Sequence, residues 1–421
     1  MIGRVGVSQR VARVLTLPLA RAHAVMVILI FCAVYAYGIA HRHGLIDGFG
    51  HVIGSDLLHF RTAAQIVRDG RGTQLYDFSL QYALQQSAVR PESLAGVDPF
   101  IAPPFVALFY VPWALLPQPI AFVAWTAFCL ACLVATLLLM RRCAWRTGAR
   151  WPSSFLISLS FYPVLEALAA GTNALLSPLI FAGAYMALKR ERDTVAGAVL
   201  GLQLYRPQLL LAPLLLLVFK RRWRALAGFT GVALALAGLA TVFVDRGALI
   251  EWLRIMPLAS RMFFEKGIPS SIFGSLYAVF LLPLGPEHFA LGMVAGTVAS
   301  LAVLVVLLRS WTGPWRPDEA AFDLRFAALL VVTPLVSQYL SLHDLAILII
   351  PALLATEYWL AHGAGVGWVR LRIALAGLWL ACLVGPPLVS RVVRLPIAPL
   401  AALVLGWVVL GTLRAERQAG S

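Results

Sequence analysis

The chain has 421 residues, 61% apolar and 13% charged, with a mean hydropathy of +0.84. A soluble domain is about 45–50% apolar and about 25% charged, so more apolar surface is present here than a water-facing shell hides. That excludes an ordinary soluble enzyme, a disordered chain and a nucleic-acid-binding module, and it replaces two or three soluble domains by one polytopic membrane unit.

About 20 mainly apolar residues cross the hydrocarbon as a helix. Ten such runs are expected, at 22–40, 119–140, 153–168, 173–188, 224–244, 287–308, 320–337, 344–361, 366–385 and 396–413. The first has no small-residue cleavage site and is expected to be a span rather than a cleaved signal. Two runs, 104–116 and 271–283, are too short to cross and each precedes a long one. They are expected to be partial or re-entrant helices, which persist at membrane depth only against protein or a wet cavity. Residues 195–219 are long enough to span but are interrupted by Tyr205-Arg206-Pro207-Gln208.

The net charge of +15 reports orientation. Lys and Arg cluster before 22 and at 141–150, 189–192, 220–224 and 309–316, which predicts that these loops and both termini are cytoplasmic. One transmembrane domain over 22–413 follows, between a cytoplasmic segment 1–21 and a tail 414–421, with 43–103 as an outer loop. Five cysteines lie in or beside apolar runs. Cys129 and Cys132 have CxxC spacing, but a lipid-embedded helix is a poor redox or metal context, so a structural role is expected. Lys220-Arg221-Arg222-Trp223-Arg224 reads as a stop signal, and Trp252, Phe263 and Phe264 as an interfacial belt. No P-loop, dinucleotide glycine motif or metal-ligand array is present.

The outer loop is much longer than a connection needs. Within it Leu57, Phe60, Ala64 and Val67 recur at helical spacing. Asp56 stands at the start of that helix, where a cap is the plain reading and catalysis the functional one. Arg206 is costly: a guanidinium at membrane depth costs about 2.5–3.5 kcal/mol, and Pro207 frees carbonyls beside it. A bidentate grip on phosphate is the functional reading, and a structural ion pair or snorkelling the bland one. Gly171-Thr172-Asn173 reads as a turn or a polar site. Asp344 reads as a helix cap or a site residue, and His343 alone as an interface histidine. Asp56, Asn173, Arg206, His343 and Asp344 all map to the same outer face.

These residues fall in a recognisable order. Ser55-Asp56-Leu57, Ala63-Ala64, Asp69-Gly70 and Leu75-Tyr76-Asp77 come first, followed by Ala102-Pro103-Pro104-Phe105 and Gly171-Thr172-Asn173. Arg206-Pro207-Gln208, Arg221-Arg222-Trp223-Arg224, Thr333-Pro334 and Tyr339 with His343-Asp344-Leu345 complete the series. Over about residues 50 to 360 the chain resembles glycosyltransferase family 87, polytopic GT-C-type membrane enzymes that use polyprenyl-phosphate sugars, typically mannose. It departs from the family at Arg206-Pro207, where Lys-Pro is common, and before Tyr339, where Pro-Tyr is common.

The resemblance implies an all-α GT-C-type bundle of about 10–13 transmembrane or partial helices, with a catalytic carboxylate in the first outer loop at Asp56, expected to act as general base. Arg206 is then expected on the donor phosphate, with Tyr76, Asn173, Gln208, His343 and Asp344 positioning substrates. The expected reaction is hexosyl transfer, with mannose the expected sugar, from a polyprenyl phosphate to a glycan or glycolipid at the outer face of the plasma membrane. No metal or other cofactor is expected. A flippase for lipid-linked sugars is the competing class, since it also needs broken helices and midplane charge.

Overall fold

The computed structural model describes residues 15–265, 274–363, 366–385 and 395–419. The described residues are helical, with isolated bridges near His43–Ile46–Val52 and no strand. The protein is an all-α polytopic membrane protein.

Helix α1 is Leu17–Ala40, capped by the Thr16 side chain with Pro18 in its first turn. The first long loop carries α2 (Ser55–Arg68) and α3 (Phe78–Val89). Then come α4 (Pro104–Ala114), α5 (Gln118–Arg141), α6 (Trp151–Leu159), α7 (Tyr162–Ala170), α8 (Leu176–Lys189), α9 (Asp193–Gly201) and α10 (Leu211–Phe219). The remainder is α11 (Trp223–Phe243), α12 (Ala248–Glu265), α13 (Leu276–Leu284), α14 (Phe289–Ser310), α15 (Ala320–Leu335), α16 (Ile349–His362), α17 (Val366–Val384) and α18 (Ile397–Ala419).

Seven helical stretches are long and apolar enough to cross a bilayer, and the α6–α7 pair, bent by 64°, makes an eighth if it is one span. Three of the ten expected crossings are therefore corrected. The 153–168 run breaks because Pro163 opens α7 and lacks the N–H that would continue α6. The 173–188 run loses its first turn to irregular backbone around Asn173, leaving 14 helical residues. The 320–337 run ends at Leu335, next to Pro334, after 16. Helix α4, with 11 residues, reaches only about half the hydrocarbon thickness at 1.5 Å per residue, as expected of a partial helix. The expected 271–283 helix is Leu276–Leu284, with 271–273 outside the described residues. The expected tail from 414 continues α18 to Ala419.

Packing separates two kinds of helix. In α15 Phe322 and every residue from Leu324 to Leu335 are buried, so it is the central post of the bundle. Helices α11 and α14 present apolar side chains outward, Val242 at 73% exposure, as a lipid-facing surface requires. Gly197 and Gly228 let α9 and α11 touch, since a Cβ on either would strike the backbone of the other helix. Cys129 and Cys132 are buried free thiols within the core, and the thiol of Cys129 lies 3.6 Å from the Thr172 carbonyl.

Loop contacts sort into two ends. At one end Arg146 pairs with Glu357, Lys189 with Asp323 at 2.8 Å, Arg222 with Asp193, and Lys220 donates to the carbonyls of Trp311 and Gly313. At the other, Trp252 donates to the Ile101 carbonyl and Gly72 abuts Val244. The loops rich in Lys and Arg thus share one end and the long first loop lies at the other.

Two glycines fix the joint between that loop and the bundle. Gly54 caps the start of α2 at φ +67°, and Gly171 ends α7 at φ +69°. Both lean on the Phe122 ring: a Cβ on Gly54 would lie 2.6 Å from it, and one on Gly171 would lie 3.0 Å from the Cβ of Leu57. Left-handed backbone costs an L-residue roughly 1–2 kcal/mol before any clash. Gly54→Ala is therefore expected to lower the thermal unfolding midpoint in detergent, and an unchanged midpoint would contradict this steric joint.

Candidate active site

Between Gly201 and Leu211 the helix is interrupted by two short 3₁₀ turns, Leu202–Tyr205 and Pro207–Leu209. Arg206 stands at the junction with φ −135° and ψ 73°, because the residue before a proline is pushed out of helical backbone. Its guanidinium is buried and held by three acceptors. Nε donates to Oδ1 of Asn173 at 2.8 Å, Nη2 to the hydroxyl of Thr172 at 2.7 Å, and Nη1 to the carboxylate of Asp344. Three of the five guanidinium N–H groups are thereby used and two are left.

Each acceptor is itself fixed. Trp125 Nε1 donates to the Thr172 carbonyl, and the Tyr205 hydroxyl donates to the Asn173 carbonyl at 3.1 Å and meets Ser177 at 2.7 Å. The other Asp344 oxygen accepts from the Ser341 N–H in a capping box. Asp344 is thus the third residue of its helical turn rather than the cap, which is Ser341. The ion-pair reading of Arg206 is realised, while the helix cap expected at Asp344 is Ser341, with Asp344 completing the capping box from three residues inside.

Asp56 lies in the first turn of α2, one residue inside Ser55, with Gly54 in the cap position expected for Asp56. Leu57, Phe60 and Ala64 turn into the core, which leaves Asp56 and His59 on the opposite side, one turn apart. Both line a cavity of about 750 Å³ together with Asn173, Arg206, Gln208 and His343. Asp344 sits behind Arg206 rather than on the cavity wall. Tyr76 does not line it: its hydroxyl donates to the Ala102 carbonyl at 2.9 Å and its ring packs against Phe100, so it shapes the loop.

Three wall residues escape a reading by motif. The Asp98 carboxylate accepts from His59 Nδ1 at 2.9 Å. It is brought there by Gln85, whose amide clamps the Asp98 backbone at 2.6 and 3.0 Å, while Gln81 does the same for Phe100. Glu166, on α7, places Oε1 4.0 Å from Nδ1 of His343. An acid inside the apolar run Val164–Leu168 was the available signal for Glu166. None existed for the His59–Asp98 pair, whose members are 39 residues apart.

Burial pushes the Asp56 carboxyl above the ordinary carboxylate range. His59, Arg206 and the Thr172 hydroxyl pull it back, and Asp98 adds to the rise. For His59, burial favours the neutral ring, but the charge and hydrogen bond of Asp98 more than reverse this and hold its pKa above the usual histidine value. The Thr172 hydroxyl lies between Arg206 and Asp56, so cation and carboxylate share one neighbour. Asp56, His59 and Asp98 also aim donor atoms within 4.8 Å of one another, a carboxylate–imidazole–carboxylate set of the type that takes a divalent cation.

The arrangement offers a carboxylate, a fixed cation and a polar chamber that opens beside apolar wall residues. No curated protein and no solved structure matches the chain. Residues 100–338, more than half its length, match the model of glycosyltransferase family 87. The match includes Asn173, Arg206 and Gln208 and ends outside Asp56 and Asp344. The chain belongs to glycosyltransferase family 87, and it is a membrane glycosyltransferase.

Proposed function

We propose that this enzyme transfers a hexose, mannose by family resemblance, from a polyprenyl phosphate to a glycan or glycolipid, with the cavity facing the extracytoplasmic side of the plasma membrane. The observation that carries the reading is the shared chamber of Asp56 and Arg206. The acceptor hydroxyl attacks the anomeric carbon, and its proton passes to the Asp56 carboxylate. As the new C–O bond forms, the bond from the anomeric carbon to the phosphate oxygen breaks, and its electron pair leaves with the lipid phosphate.

The two free N–H groups of Arg206 meet the charge that develops on that phosphate. They need no rearrangement, because Asn173, Thr172 and Asp344 already hold the guanidinium still. Gln208 and His343, on the same wall, suit the donor sugar and its phosphate. The isoprenoid tail fits the apolar side of the chamber at Ile101, Pro103, Pro207 and Met256, next to the partial helix α4. No step is routed through a cation at Asp56, His59 and Asp98. The sidedness rests on the Lys- and Arg-rich loops grouping at the end away from the long first loop.

In proteoliposomes supplied with decaprenyl-phosphate mannose and octyl α-mannoside, Asp56→Asn is expected to lower transfer about 10²–10⁴-fold. Transfer at the wild-type rate would end the base assignment, and movement of the lipid-sugar across the bilayer without transfer would favour a flippase.

Asp344→Asn removes the buried counter-charge of Arg206. Breaking such a pair costs about 3–5 kcal/mol, so the variant is expected to melt earlier and to need more donor at half-saturation. An unchanged donor KM would contradict the phosphate role of Arg206.

The pH profile gives a third check. Asp56 must be ionised to accept a proton, and its pKa is raised, so kcat/KM is expected to fall on acidification at a higher pH than a free carboxylate would give. His59→Gln removes a cation that lowers the Asp56 pKa, so the acid limb should move to higher pH. A limb that stays in place or moves down would contradict that coupling.

A further inference from the structure

The cavity has a second polar wall, built by α1 and α7, that the scheme above leaves unused. Along α7, Tyr162, Glu166, Ala169 and Ala170 fall at spacings of three and four and all line the chamber. Across from them α1 contributes Phe31 and Tyr35, whose rings stack at 6.2 Å, while Phe31 meets Tyr162 edge-on at 6.4 Å.

Two polar atoms on this wall are buried without a hydrogen-bond partner, Oε2 of Glu166 and the hydroxyl of Tyr35. A buried polar group without a partner is costly, so two of them in residues that line one chamber mark a wall whose polar capacity the chain itself leaves unused. One is an acceptor and the other a donor as well as an acceptor, which is the complement of sugar hydroxyls. The two alanines keep the floor between Glu166 and the end of α7 shallow, and the aromatic rings offer flat apolar faces of the kind on which a pyranose rests its C–H side.

We propose that Glu166, Tyr35 and Tyr162 form the acceptor subsite and that it takes the uncharged pyranoside head of a glycan or glycolipid. The assignment rests on the transfer reading above and deepens it. The donor carries a long isoprenoid, and the apolar side at Ile101, Pro103, Pro207 and Met256 suits that tail. The aromatic wall of α1 and α7, with the Tyr35 hydroxyl and the Glu166 carboxyl, then receives the molecule that lacks one. Glu166 also lies close enough to Asp56 for their charges to interact, so a sugar seated on it brings a hydroxyl to the base.

The test uses octyl α-D-mannopyranoside as the acceptor probe with the full-length protein, and reads calorimetric binding in the absence of donor beside both KM values. Glu166→Gln, which keeps size and replaces the carboxyl by an amide, is expected to weaken probe binding and raise acceptor KM about tenfold or more, with donor KM unchanged. Tyr35→Phe should raise acceptor KM about threefold or more. Ala169→Leu, which fills the floor without touching either polar group, should raise it as well. Undiminished probe binding by Glu166→Gln, or a change confined to donor KM, would overturn the subsite. If the wild type binds the probe, loses it in Glu166→Gln and yet transfers nothing, the transferase reading falls while the sugar subsite stands. If transfer proceeds and probe binding ignores all three substitutions, the subsite alone falls.

Discussion

The guanidinium of Arg206 is the interaction around which the site is arranged. A charge in the interior of a membrane bundle is tolerated only when it is paired and its hydrogen bonds are met. Here two segments far apart in sequence give the three acceptors: Asp344 from the turn before α16, and Thr172 and Asn173 from the break between α7 and α8, converge on the residue at the break between α9 and α10. The 171–175 segment is non-helical and the Asp344 segment is wound as a 3₁₀ turn, each with side chains committed to this network. The irregular backbone is therefore a consequence of the buried charge as much as its setting.

The same requirement explains why the polar residues of the chamber are unevenly distributed. Gln203 and Tyr205 are both bonded to Ser177, and Tyr205 to the Asn173 carbonyl, and together they fix the floor on which Arg206 rests. Above it, Asp56 arrives on a helix from the loop, positioned by Gly54 and by the apolar face of α2, Leu57 and Phe60, packed into the core. The chamber is acidic apart from Arg206 and its histidines, with Asp47, Asp56, Asp98 and Glu166 all on its wall. An anion has one place to dock there, and neutral hydroxyls have many.

How much of this was legible in sequence depends on the physical cause of each feature. Arg206-Pro207 was visible because charge and proline inside an apolar run are both expensive, and the resemblance picked out Asp56, Asn173 and Asp344 by order. The membrane class followed from composition alone. Crossing number did not, since hydropathy measures what a segment would prefer in lipid and not where its hydrogen bonds go: Pro163 divides one run and the Asn173 turn shortens the next. The His59–Asp98 contact was invisible because it is produced by Gln81 and Gln85 reaching from α3 to the 98–100 backbone, and amide clamps of that kind leave no periodicity. Tyr76 shows the converse, a residue in a matching motif whose hydroxyl is occupied by the loop's own backbone.

With the proposed polyprenyl-phosphate donor, the pairing of Arg206 with Asp344 bears on which phosphates the site would accept. A guanidinium already neutralised by a carboxylate exerts little long-range pull, so free inorganic phosphate in the aqueous phase gains almost nothing by entering. A phosphate tethered to an isoprenoid is confined to the bilayer plane at the depth of the chamber, and tethering raises its effective concentration without any added attraction. With such a donor, selectivity against soluble anions would come from the muted charge itself, and the lipid anchor would act as the admission ticket.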